Sequence, residues 1–432
     1  MRIFRPLIAA SLLLGVLWTN SAQAFCGFYV ARADGELFNE SSKVVFVRDG
    51  TRSVITVSSD YRGPALEFAL VMPTPEVLPE AAIRTVEGET LAHLDAYSAP
   101  RLVEYHDTDP CEPRVVIGVT TTALAEGAPL SGPAALGVTV EAEYAVGVYD
   151  VAILSAEQSD GLATYLRQEA YQIPEGAEAV MAPYIENGMK FFVARVNLDR
   201  HEAAESAELP PLQLSFTSRA FMLPLQLGKI NAAGEQDVLV MALTRTGRVE
   251  AANYANARIP SEIEVPGFVR DRFGEFYRRI YDVAAAPDTV LTEYVWDMAW
   301  CDPCAADPLS VAQLRELGAD WVEDNDGPAR DVFITRLHFR YGPDEFAEDL
   351  FLRETGDTEN FQGRYIIRNP FDGPLQCAPE GEETLQVFAD EYLVNTKARL
   401  IREGDTLARL TGWDREMIAE EIRGSTPDIY HD

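Results

Sequence analysis

The first twenty-four residues determine where this chain folds, and that constrains everything after them. Arg2 and Arg5 form a short basic stretch, Leu7 to Trp18 is an apolar run, and Ala22-Gln23-Ala24 closes the segment with a small-x-small pattern. This order is that of a secretory signal peptide, and its apolar run falls short of the ~18 residues that cross a bilayer. Cleavage is expected after Ala24. Cys26 is not expected to carry lipid, because Phe25 before it is too bulky for that processing site. No later apolar run is long enough to span a membrane, so the mature chain is expected to be soluble, periplasmic or secreted.

Export makes disulfides the default reading of the cysteines. All five lie beyond the cleavage point: Cys26, Cys111, Cys301, Cys304 and Cys377. An odd number leaves at least one thiol unpaired, and the sequence does not say which.

Charge narrows the partners. The 36 Lys+Arg face 69 Asp+Glu, a net charge of −33, and loss of Arg2 and Arg5 with the signal peptide moves it to −35. A surface this acidic repels phosphate backbones and anionic lipid, which excludes nucleic acid as an expected partner. A protein or small-molecule ligand stays open. The 47% apolar content and the length support one or more packed cores.

The pattern of residues predicts a mixed, strand-rich α+β chain. Ser42–Val47 and Ser53–Ser58 flank an Asp-Gly turn and read as a hairpin. Glu67–Met72 reads as a strand and residues 76–106 as helical, with Ser98 as an N-cap before Pro100. Residues 121–137 are rich in Gly and Pro and read as a loop. Strands are expected over 138–154, 190–198, 212–216, 221–227 and 238–244, with helices opening at Asp160 and after Pro174-Glu175-Gly176. Pro260 and Pro266 mark a boundary between a strand-rich lobe, 25–260, and an α/β lobe, 261–432, that holds a CxxC loop. Phe268, Phe273, Phe276, Tyr277, Ile280 and Tyr281 recur at helical spacing, an aromatic stripe expected in the core. Strands at 289–296, 331–341, 349–353 and 363–367 follow, with a helix over 310–317. Two terminal helices are expected over 384–402 and 413–423, the second ending at Gly424.

One echo links the lobes. Phe192–Leu198 matches Phe333–Phe339 in residue type at each position, so Arg195 and Asn197 share one strand face as Arg336 and His338 share another. Two lobes with similar helix-then-strand units are the expected architecture.

Catalytic signatures are missing from the sequence. Lys229 is followed by Ile230, so no phosphate loop forms there, and neither GxGxxG nor GxSxG occurs. His201-Glu202-Ala203-Ala204-Glu205 lacks the second His of a zinc-protease helix, and Asp324-Asn325-Asp326-Gly327 lacks the ligands of a calcium loop. The suggestive cluster is Glu293 to Asp297 followed by Cys301-Asp302-Pro303-Cys304. Asp297, Asp302 and Asp307 oppose a thiolate, which favours a structural disulfide over thiol exchange or metal binding. The remaining alternative is a metal- or thiol-dependent enzyme centred on Cys301, Cys304 and His338.

Several stretches resemble an uncharacterised bacterial family catalogued as domain of unknown function 2330. They are Phe25–Ala31, Val45–Gly50, Leu94–Tyr105, Tyr149–Ser155, Cys301–Cys304 and Thr335–His338. The resemblance implies an exported protein and assigns no activity to any residue. No catalytic, cofactor-binding or metal residue is therefore expected. A binding or envelope-associated structural role leads, and its ligand is unknown.

Overall fold

A computed structural model describes residues 28–32, 41–59, 68–111, 140–156, 159–168, 171–172, 176–203, 209–229, 235–302, 307–323, 329–375, 377 and 383–430. The segment read as a signal peptide, Cys26, Cys304, the Gly/Pro-rich stretch 121–137 and the acidic stretch 324–327 read as a turn lie outside these residues.

The hairpin forms as Ser41–Asp49 and Arg52–Ser59, turning on Gly50 in the left-handed region. Its valine-rich strands do not alternate apolar with polar, because both faces are covered. Val44 and Phe46 enter one core, while Val45 and Val47 enter another. The hairpin sits inside a nine-stranded mixed sheet. Along it run Ala255–Arg258, Thr289–Asp297, Phe333–Tyr341, Gln236–Thr244, the two hairpin strands, Leu212–Thr217 and Ile83–Thr85, with Phe361–Gln362 paired onto Thr289–Asp297. A second sheet is antiparallel. Its order is Val140–Val146, Tyr149–Ser155, Lys190–Val196, Phe68–Thr74, Phe28–Arg32 and Tyr171–Gln172.

The two sheets pack face to face. Phe46, Ile55 and Val240 of the first meet Met72, Ile153 and Phe192 of the second. Helices cover both outer faces. Ser159–Gln168 and Ala177–Glu186 lay Leu162, Leu166 and Met181 on Val71, Phe191 and Val193. On the other side, Gly88–Ser98 and Val311–Glu316 cover Val45, Val47 and Ile334. Beside them Phe273–Ala284, Glu383–Thr411 and Arg415–Ser425 build a further core with the small parallel sheet Ile263–Val265, Arg364–Asn369 and Arg101–His106. The α+β class and the helical C-terminal region are as expected. The boundary read at residue 260 falls between strands that share one sheet, since Gln236–Thr244 pairs along its length with Phe333–Tyr341.

Three local readings need correction. Residues 76–106 are not one helical stretch: the helix stops at Ser98, and Arg101–His106 is a strand. Pro100 is the reason, because the residue before a proline is pushed out of the helical region. Ser98 therefore closes a helix instead of opening one, its hydroxyl donating 2.8 Å to the Leu94 carbonyl. Residues 221–227 hold only the short strand Met222–Leu223 and a helical turn, Gln226–Lys229. The long terminal helix passes 402 and ends at Gly412 in the left-handed region, while Gly424 lies inside the last long helix, Arg415–Ser425.

The aromatic stripe is core. Phe268, Phe276, Ile280 and Tyr281 are buried, and Phe273 and Tyr277 are half-buried against the same cluster. Phe276→Ala is expected to cost about 3–5 kcal/mol through the cavity it leaves. Phe273→Ala should cost less, being partly exposed. Denaturant midpoints of the two variants check the order, and an equal or smaller loss for Phe276 would contradict it.

Candidate functional site

Strand alternation places Arg336 and His338 on the outer face of the nine-stranded sheet, opposite Leu337 and Phe339 in the inter-sheet core. Glu293 reaches the same face through an irregularity in the neighbouring strand. There Thr292 pairs with Leu337 and Tyr294 with Arg336, so Glu293 is the extra residue of a β-bulge. Its carbonyl accepts from the Gly363 amide at 2.7 Å. The helix Phe273–Ala284 lies over this face, bringing Tyr277 and Tyr281. The helix Gly88–Ser98 brings Asp95.

These groups form one closed network. Arg336 Nε donates to Glu293 Oε2 at 2.8 Å and its Nη1 to Asp95 Oδ1 at 2.5 Å. His338 Nδ1 lies 2.8 Å from Glu293 Oε1, and Nε2 lies 3.0 Å from Asp237 Oδ1. The Tyr277 hydroxyl donates to Glu293 Oε1 and sits 2.9 Å from His338 Nδ1. The Tyr281 ring stacks on the imidazole at 4.0 Å, and the Arg340 guanidinium lies over Tyr281. Lys43 pairs with Asp95, and Arg340 joins Asp237 to Asp282. Four acids, Asp95, Asp237, Asp282 and Glu293, thus meet four cations, Lys43, Arg336, Arg340 and His338.

Burial and charge oppose each other here. Glu293 is 0% exposed. Burial alone raises its pKa, yet His338, Arg336 and Tyr277 hold it down at about 2. Burial likewise lowers the His338 pKa, but Glu293 and Asp237 outweigh it and the net direction is up. With a carboxylate at each ring nitrogen, His338 is an imidazolium donating both protons. Burial and the Glu293 charge push the Tyr277 hydroxyl well above its ordinary pKa, so it donates and does not ionise. Every charged centre of the network faces a counter-charge, an arrangement suited to locking helices onto a sheet.

The sequence-predicted residues divide. His338 lies in this network, and both its ring nitrogens are engaged, so it is not free to ligate a metal with Cys301. Cys301 is exposed with a free thiol on a loop docked elsewhere, through Asp302 to the Tyr294 hydroxyl (2.9 Å) and to Arg101. Cys111 and Cys377 form a disulfide. Cys26 and Cys304 lie outside the described residues, so their pairing is not described. His93 lies between the Asp307 carbonyl and Gln313. His201 is on the short helix Leu198–Ala203, and Glu205 lies outside the described residues. Among the described residues, no group of three or more His, Cys, Asp or Glu is arranged to hold a metal ion.

The echo between Phe192–Leu198 and Phe333–Phe339 has a structural counterpart. Arg195 pairs in register with Asp150 on the adjacent strand, and Arg195, Asn197 and Arg200 all bond that carboxylate. Both strands therefore aim a paired basic face at a neighbouring acid, partly exposed in one sheet and sealed in the other. Sequence reading missed Tyr277, Asp95 and Asp237 as members. Only the alternation at 336 and 338 hinted at a polar face inside an otherwise apolar strand.

A family model described as "Uncharacterized protein conserved in bacteria (DUF2330)" matches residues 20–353. Neither the curated proteins nor the solved structures contain a match to this chain. No helix among the described residues is long and apolar enough to cross a membrane.

Proposed function

We propose, from the premise that the chain belongs to the bacterial family DUF2330, whose description carries no activity, that it is an exported protein acting through its surface without catalysis. The observation behind this reading is the closure of the Glu293–Arg336–His338 network. Reactive sites hold a titratable group poised with its working atom open to substrate. Here each charged group is paired with an oppositely charged neighbour, and the cations and acids balance. The signal peptide supports periplasmic or secreted placement, where the Cys111–Cys377 bridge is stable.

The test uses protein purified from the producing bacterium. Its N-terminus is expected at Phe25, and it should carry no stoichiometric transition metal. Cys301→Ser should leave its melting temperature unchanged. A stoichiometric metal that is lost on Cys301→Ser would instead support the thiol- or metal-dependent enzyme. Retention of residues 1–24 would overturn the soluble placement.

A further inference from the structure

The buried stripe of the helix Glu383–Thr411 carries an acid. Thr396, Leu400, Glu403 and Leu407 recur at helical spacing and are all buried, Glu403 being 4% exposed. Leu400 and Leu407 join the core of Val265, Phe276, Ile280, Ile418 and Ile422. Glu403 sits where that core meets a group of charges. Its Oε1 accepts no hydrogen bond from any described residue, and Arg399 Nε, 3.5 Å away, makes none either.

The arginines around Glu403 are committed to other acids. Arg399, one turn earlier on the same helix, forks onto Asp107 at 2.9 and 3.3 Å. Arg368, on the central strand of the small parallel sheet, donates Nε to Glu264 of the neighbouring strand at 3.0 Å. Three acids, Asp107, Glu264 and Glu403, therefore share two cations. The helices Phe273–Ala284 and Arg415–Ser425 bring apolar side chains to the same core. The last helix, Pro427–Tyr430, adds the Tyr430 phenol, with Lys397 over its ring and the Arg423 charge acting on it. Glu293 is as buried as Glu403 but has Arg336 and His338 to itself, so it stays ionised. An acid in excess of its cations is neutralised by a proton instead. Burial holds the Glu403 pKa up at about 7, helped by Glu264 and Asp107 and opposed by Arg399 and Arg368. We propose that Glu403 is a proton switch on the attachment of the helix Glu383–Thr411 to the parallel sheet beneath it. Protonated, it leaves two acids facing two arginines. Ionised, it puts an uncompensated charge in the joint, and the helix is held less tightly. The Cys111–Cys377 bridge keeps the chain before the helix tied down in either state.

The sign follows from the raised carboxyl. Attachment is strongest below the ~4.3 of a solvated glutamate and weakens as pH rises through about 7. Between about pH 5.5 and 8.5 the attachment constant should fall about thirtyfold. Amide hydrogen exchange of the full chain, read by mass spectrometry as protection factors, follows this opening. Peptides covering 396–411 should lose about thirtyfold more protection over that range than the same peptides of Glu403→Gln, which is neutral throughout. The His338 contribution is common to both proteins and cancels in the comparison. Glu264→Gln, at a half-exposed position, removes a like charge and releases Arg368 from its partner. It should move the loss of protection to lower pH. Parent and Glu403→Gln losing protection in parallel would overturn the proposal. Should Glu403→Gln fail to fold, Glu264→Gln decides: a midpoint that stays in place or rises overturns it, and one that falls supports it.

Discussion

Glu293→Gln is expected to cost about 3–5 kcal/mol of folding stability, the loss typical when one member of a buried ion pair is removed. The amide keeps the shape of the carboxylate but leaves Arg336 and the His338 imidazolium without their shared counter-charge. Both are nearly fully buried, so water cannot substitute. A second variant separates this cause from a simple packing defect. Glu293→Met/Arg336→Met removes both charges of the most buried pair, leaving Asp95 to Lys43 and His338 to Asp237. It should cost less than Glu293→Gln alone, since buried pairs replaced by apolar groups are often neutral. Denaturant unfolding of the three proteins decides, and a double variant that is the least stable would refute the account.

The same network predicts how stability follows pH. Glu293 is held at about 2, below the ~4.3 of an unfolded-chain glutamate. A lowered folded pKa contributes in full above the unfolded value and is lost as pH falls from ~4.3 toward 2. His338 runs the other way, because its folded pKa is raised. Its contribution is complete below the unfolded value of ~6.5 and is lost as pH rises through the folded pKa. The network therefore supports the fold most between about pH 4.5 and 6.5. His338→Gln should flatten the alkaline limb of the stability profile and also weaken the acid limb, because His338 is the first of the groups that hold the Glu293 carboxyl down.

Cys111→Ser/Cys377→Ser is expected to lose roughly 2–5 kcal/mol. The bridge joins residues 266 apart in sequence, and long closed loops constrain the unfolded chain most. It ties the segment after Arg101–His106 to the approach of the helix Glu383–Thr411. Asp107 reinforces the junction by accepting from Tyr392 and Arg399. The double variant should remain folded at low temperature, because four hydrophobic clusters persist without it. An unfolding midpoint equal to that of the parent would show that the bridge does not stabilise the fold.

Strand and helix positions were largely legible wherever one local signal dominated. Asp-Gly between valine-rich runs marked the hairpin, and period-3.6 aromatics marked the helix over Tyr277 and Tyr281. Reading failed where distant contacts outvoted local pattern. Leu102 and Tyr105 suit a helix by spacing, yet Arg101–His106 becomes a strand because Arg364–Asn369 offers it a parallel ladder beyond Pro100. The helix expected to end at 402 runs on to Thr411, and it passes through Gly404 where Ile418 and Ile422 of the next helix come close.

By itself the sequence determined the net charge of −33, the α+β class and the membership of Phe276 and Tyr281 in a core. Those properties are sums over residues or periods within a single segment, so they need no knowledge of neighbours. The tertiary structure alone decided that Cys111 pairs with Cys377, that strands on either side of residue 260 share a sheet, and that His338 is sealed. Glu293, Asp237, Tyr277 and Asp95 are separated by tens to hundreds of residues, and no local pattern encodes their meeting. A single-residue bulge at Glu293 turns its carboxylate onto the face of Arg336 and His338, and that bulge exists only once the two strands are paired.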